Sequence, residues 1–348
     1  MIYLGFLMHA YQPPTQKEKI ISQIYSECYE PIISLAETQP EIHFSMDLAK
    51  SLGERLPKEF LLRIKNLHER GSIELVNTAA YHFLLPLVPA KVSARQLLLN
   101  AEFYYKNFAA TSFLGGGVFP PELAFSPSLI KTIRESGASW TMADDEFFNR
   151  KNFNRDDPRR VPQNSIPVIN ELGILLRSRH WSNLIAHGHY NDGKQVLGDI
   201  ITKQNQWRDS CGIAGDTHLN IGVDMETFGH WHEKAVNKFL LPLFEESIRR
   251  QNEVQIVFLD HIFGRFPKKY YSSDFISPSS WSTNDTDVPF PLWNHPQNEF
   301  HKLWNDFIST VFNFLPADPS AELQKLFDEF AYSCTPWQYS HGNKEIAA

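Results

Sequence analysis

MIYLGFLMHAYQPP (residues 1–14) opens the chain. Residues 2–8 form a short apolar run that ends at His9. A run of that length, closed by polar residues and proline, reads as a strand buried on both faces. No glycine-rich fingerprint follows it, which argues against an open dinucleotide-binding sheet. Working outward, similar runs recur at 42–46, 73–78, 115–119, 140–143, 174–177, 219–225 and 254–259. Helical spacing separates most of them. It covers 17–38 (Ile20, Ile21, Ile24, Ile32, Leu35), 89–109, 126–136 and 232–251. Asp47 is placed to cap a further helix that runs through Leu52 and past Pro57 to Arg70, stopped by Gly71. Residues 178–218 read as largely irregular. Short strands alternating with helices mean βαβ units on a parallel sheet. Seven or eight units over roughly 270 residues favour a closed (β/α) barrel. The expected organisation is a catalytic barrel over 1–275. A small helical region over 276–348, with helices at 298–315 and 321–331, packs on it.

The 348 residues are 42% hydrophobic and 21% charged, with a formal net charge of −7. That composition excludes a disordered chain. The mildly acidic balance, with no basic cluster, speaks against nucleic acid and anionic membranes as partners. The opening run lacks a basic flank and a small-residue cleavage site, so neither a signal peptide nor a membrane span is expected. Cys28, Cys211 and Cys334 lie far apart and are odd in number, which suits a reduced, cytoplasmic setting. Oligomeric state is left open. Aromatic residues reach 13%. Several tryptophans, among them Trp181, Trp231, Trp281, Trp293 and Trp337, sit among polar residues or proline, as sugar-stacking residues do.

Chemistry in a parallel barrel gathers where strands end. Here those ends read His9, Tyr81-His82, Glu122, Asp144-Asp145, Arg177 and Asp224-Met225-Glu226. Glu122 lies between Phe119-Pro120-Pro121 and Leu123, and a carboxylate in so apolar a setting is costly unless paired or functional. Asp224 ends the run 219–223 and lies too far from the next helix to cap it. Two carboxylates on one barrel face suit glycoside hydrolysis.

In five ordered segments the sequence resembles glycoside hydrolase family 57, the α-glucan-active amylases, 4-α-glucanotransferases and branching enzymes. These are His9-Ala10-Tyr11-Gln12-Pro13; Gly71-Ser72-Ile73-Glu74-Leu75, leading to Tyr81-His82 and Leu85-Pro86-Leu87; Phe119-Pro120-Pro121-Glu122; Asp224-Met225-Glu226-Thr227-Phe228-Gly229-His230-Trp231; and Ser333-Cys334-Thr335-Pro336-Trp337-Gln338-Tyr339. The resemblance implies a (β/α)7 barrel and a retaining mechanism on α-1,4-glucans, by hydrolysis or by transfer to a sugar. It implies Glu122 as an ionised nucleophile and Asp224 as an initially protonated acid/base. It also implies His9, His82 and His230 as ligands of sugar hydroxyls, with Trp231 stacking on the sugar. Gln12, Tyr81 and Trp337 belong to the same substrate-binding set. Arg177 would stand near the active centre, with Asn183 where the family has Asp. Asp144 would orient its neighbours, and Arg179 reads as a surface residue. Glu226 either raises the pKa of Asp224 by like-charge repulsion or faces away onto a cation.

Zinc chemistry is the main rival, through the pairs His187-Gly-His189 and His230-Trp-His232. No two histidines stand four apart, which excludes HExxH and HxxxH ligand sets. The expectation is no metal and no cofactor. No GxSxG elbow supports a serine hydrolase either. The remaining alternative is a carbohydrate-binding protein on a weakened enzyme fold.

Overall fold

The computed structural model describes residues 1–110, 115–283, 288–316 and 319–340. Seven parallel strands close into a ring. In ring order they are β1 (Ile2–Ala10), β2 (Phe44–Leu48), β3 (Ile73–Leu75), β4 (Gly117–Val118), β5 (Trp140–Asp144), β7 (Leu172–Arg177) and β8 (Thr217–Asp224). β8 pairs back to β1 along eight residues. The gap between β3 and β4 is bridged by Asn77, which pairs with Val118. All nine residues of β1 are buried, which is why its run is apolar on both faces. The ring is the (β/α)7 barrel that the alternation and the resemblance anticipate.

Among the described residues, three strands lie outside the ring. The eighth apolar run forms β9 (Val254–Val257), which pairs with the first half of β1 below β2. β6 (Ile166–Ile169) is antiparallel to β7, joined through Asn170 and Glu171, both at positive φ. β10 (Lys268–Tyr271) extends β6.

The stretch 178–218 is not irregular. It holds helices Arg179–Ala186 and Gly193–Cys211. Asp192 caps the second, and Val196, Leu197, Ile200, Ile201 and Gln204 are its buried face. Asp47 caps no helix: it lies in β2 and turns inward. The long helical stretch from Glu18 to Thr38 carries a π-turn at Tyr25–Tyr29. Pro31 lacks the N–H that the Glu27 carbonyl would accept, which accounts for the break.

Helices Glu299–Phe314, Ala321–Phe330 and Cys334–Ser340 follow the barrel. Ile308, Phe312, Phe327 and Ala331 pack on Ala80, Tyr81, Phe83 and Val92. Arg95 grips both oxygens of Asp328 at 2.5 and 2.7 Å. This packing carries the start of the last helix to the mouth of the barrel. No described helix is long and apolar enough to cross a membrane.

Candidate active site

The register of three neighbouring strands puts His9 level with Asp47 on one side and Asp224 on the other. His9 Nδ1 donates to Asp47 Oδ2 at 2.7 Å. Burial opposes a charge on His9, but the charge and hydrogen bond of Asp47, with Asp224 and Glu226 beyond, outweigh it and lift His9 to about 9. His82 Nε2 lies 3.0 Å from His9 Nε2, and burial next to that cation pushes its pKa well down. Tyr11 stacks flat on His82, with ring centres 3.7 Å apart.

Glu122 lies in the turn that follows β4, in a left-handed conformation with φ 60°. Both side-chain oxygens are held. Trp281 Nε1 donates to Oε2 at 2.6 Å and Ser333 Oγ to Oε1 at 3.2 Å. His82 Nδ1 stands 3.7 Å from Oε1. Burial drives the carboxyl up to about 7, and Asp224 adds to this. The Trp281 and Ser333 hydrogen bonds and His9 act against it. Raising Glu122 is the opposite of what its expected role as an ionised nucleophile suggests; an acidic medium leaves it protonated. Asp224, at the end of β8, is exposed to solvent.

On the other side, Arg177 Nε donates to the Gly222 carbonyl at 2.8 Å, and Nη2 to Asn183 at 3.2 Å. Its Nη1 and that of Arg179 approach Asp144 Oδ2 at 3.7 and 3.6 Å. Asp144 Oδ1 accepts from the Glu146 N–H and starts the next turn.

A model of glycosyl hydrolase family 57 matches residues 6–276. The chain belongs to that family. It is 26% identical over 281 residues to an α-amylase of Pyrococcus horikoshii, a match covering 76% of this chain and 40% of the relative. A 4-α-glucanotransferase of Thermococcus litoralis is 25% identical over 156 residues, covering 44% of this chain and 23% of the relative. The chain thus spans well under half the length of these curated relatives. A solved family 57 branching enzyme of Thermococcus kodakaraensis superposes with a TM-score of 0.78 at 14% identity, covering 99% of this chain and 87% of that one. That likeness concerns the fold.

Within this family 57 barrel, His9, His82, Glu122, Asp144, Arg177 and Asp224 share one mouth. Glu226 is buried beside them. Its carboxylate accepts from Gln12 Nε2 at 2.8 Å and from the Tyr29 hydroxyl, and among the described residues it makes no ion pair. Burial first, then Asp224, raises it to about 7. Tyr29 is the last residue of the π-turn and is buried.

Other residues lie elsewhere. Tyr81 takes a hydrogen bond from Lys50 Nζ at 3.1 Å and packs under the C-terminal helices. His230 Nδ1 pairs with Glu27 at 2.7 Å. Trp231 is 64% exposed and borders a cavity of about 360 Å³ with Tyr190, Phe228 and His232. Gly229 lets this segment pass the helix: a Cβ there would stand 1.9 Å from the Glu27 carbonyl. Trp337 packs beside Leu84, Phe290 and Trp293. Arg179 is not a surface residue: its guanidinium lies against Asp144 and donates to the Thr283 carbonyl. His232 Nε2 bonds the Ala186 carbonyl. Among the described residues no three His, Cys, Asp or Glu side chains gather as a metal-ligand set.

Sequence reading missed Asp47, Tyr29 and the two donors on Glu122. Trp281 carried a weak signal, as a tryptophan between serines and threonine. Ser333 opened the last of the five motifs without a role attached.

Proposed function

We propose that this chain is a retaining enzyme on α-1,4-glucans, an α-amylase-type hydrolase, with Glu122 as nucleophile and Asp224 as acid/base. The observation that carries the reading is the contrast between the two carboxyls. Glu122 is largely shielded, its side chain 16% exposed, and it is clamped on both oxygens, so its position is set before a sugar arrives. Asp224 is exposed, where a leaving oxygen, a water or a sugar hydroxyl has access. Glu122 attacks the anomeric carbon while Asp224 gives its proton to the departing oxygen. Asp224 then takes a proton from the incoming water, and the glycosyl ester on Glu122 breaks. Family membership supports the chemistry, and the printed activities of the relatives support an α-glucan substrate. His9 and His82 line the same mouth, their ring nitrogens engaged by Asp47, by each other and by Ser333. Three free cysteines support a reducing, cytoplasmic setting.

Incubation with maltoheptaose tests this reading, with Glu122→Gln alongside. Only shorter chains are expected from the wild type and none from the variant. Longer chains appearing together with shorter ones would make the enzyme a 4-α-glucanotransferase. Unchanged activity in Glu122→Gln would overturn the nucleophile assignment.

A further inference from the structure

Four hydrogen bonds cross the barrel mouth in series and end on Glu122. Asp47 Oδ2 accepts from His9 Nδ1 at 2.7 Å. His9 Nε2 faces His82 Nε2 at 3.0 Å, so one of the two nitrogens carries the shared proton and the other is bare. His82 Nδ1 faces Ser333 Oγ at 2.8 Å, and Ser333 Oγ faces Glu122 Oε1 at 3.2 Å. Ser333 is itself fixed: its N–H donates to the His82 carbonyl at 3.2 Å, and its carbonyl accepts from Trp293 Nε1 at 3.0 Å.

The series has two self-consistent directions. When His9 is a cation, its Nε2–H points to His82. The His82 proton then sits on Nδ1 and points to Ser333, and the Ser333 hydroxyl hydrogen points to an ionised Glu122. When the same proton sits on Glu122 instead, the last three bonds reverse, His9 Nδ1–H still points to Asp47, and His9 is neutral. The two states hold the same number of protons. They differ by three transfers: His9 Nε2 to His82 Nε2, His82 Nδ1 to Ser333 Oγ, and Ser333 Oγ to Glu122 Oε1. We propose that Ser333 is a positioning residue that couples the charge on Glu122 to the charge on His9 across the mouth of the barrel.

The inference rests on Glu122 being the nucleophile. It means that a charged His9 favours the Ser333 hydroxyl as a donor to Oε1. The groups facing the two ends agree with an isolated series. Around His9 stand Asp47, Asp224, Glu226 and the neutral His82. Around Glu122 stand His82, Asp224, His9, and the Tyr11 hydroxyl and Cys334 thiol, both of which burial keeps neutral. Ser333 is the only hydroxyl among the described residues bonded to both His82 and Glu122.

Titration without substrate tests the coupling. Infrared difference spectra against the matching Glu122→Gln protein isolate the Glu122 carboxylate band, and ring ¹⁵N signals report His9. In the wild type, the two are expected to change together over part of the range. In Ser333→Ala, the Glu122 midpoint should rise by about one pH unit, the scale of one lost donor to a carboxylate. The His9 signal should no longer follow it. Ser333→Thr, which keeps the hydroxyl, should restore both. If Ser333→Ala does not fold, the near-isosteric Ser333→Cys, a weak donor, should shift the midpoint in the same direction. A folded Ala or Cys variant with the wild-type Glu122 midpoint overturns the coupling. Because these readings need no turnover, an inactive wild type on maltoheptaose would sink the proposed function and leave the coupling to be judged by titration.

Discussion

Trp281 Nε1 donates to Glu122 Oε2 at 2.6 Å, from 159 positions along the chain. An indole N–H only donates, so it favours the ionised carboxyl. Burial favours the neutral one, and the balance lies at about 7.

Activity should therefore rise with pH through about 7, because only ionised Glu122 attacks. A profile of kcat/KM against pH reads this in the free enzyme. Trp281→Phe keeps an aromatic ring and removes the donor. It should move the acid limb to higher pH and lower kcat about tenfold, the worth of one hydrogen bond to a charge at roughly 1.5 kcal/mol. An unmoved limb would contradict the role given to Trp281.

Asp224→Asn should cut kcat on maltoheptaose by about 10²–10⁴, the usual worth of a positioned acid/base. A glucosyl fluoride needs no acid to leave, so its first step should survive. Added azide needs no base and should restore turnover, giving a glycosyl azide of unchanged anomeric configuration. A product of inverted configuration would rule out the double displacement.

His9 makes stability depend on pH. Its folded pKa of about 9 lies above the ordinary value of 6.5, so the stabilisation is complete below about 6.5 and is lost as pH rises through about 9. Glu74, raised by burial to about 8, loses stability in the same direction up to that pH. Denaturant midpoints should fall between pH 7 and 9. His9→Gln should be less stable than the wild type at pH 6 and show a shallower fall. Parallel curves for the two proteins would refute the buried His9–Asp47 ion pair.

Arg177→Met should destabilise the fold by about 3 kcal/mol, since removing one partner of a buried pair strands the other. It leaves Asp144 with Arg179 alone and the Gly222 carbonyl without its donor. Urea unfolding measures the difference. A change below about 1 kcal/mol would mean that water replaces the guanidinium.

The barrel was legible because its strands are buried on both faces. Residues 2–8 hold no charged position, and 219–223 hold only one polar residue, Asn220, which is itself buried. Residues 193–211 were not read as a helix, because Gly193 and Gly198 dilute its pattern and polar residues cover its outer face. Asp47 looked like a cap because a helix follows it; strand register instead places it on His9. Glu122 and Asp224 stood out locally, one for its apolar neighbours and the other for ending a buried strand.

The order of short buried strands and helices, and the acids at strand ends, are properties of the sequence alone, because periodicity and burial act over a few residues. Which side chains meet was decided by ring closure and by the return of the C-terminal helices over the mouth. Those steps bring Trp281 and Ser333 to Glu122 across 159 and 211 positions. The same packing sets the protonation of Glu122 and His9, because desolvation and charge act over ångströms in space and are blind to distance along the chain.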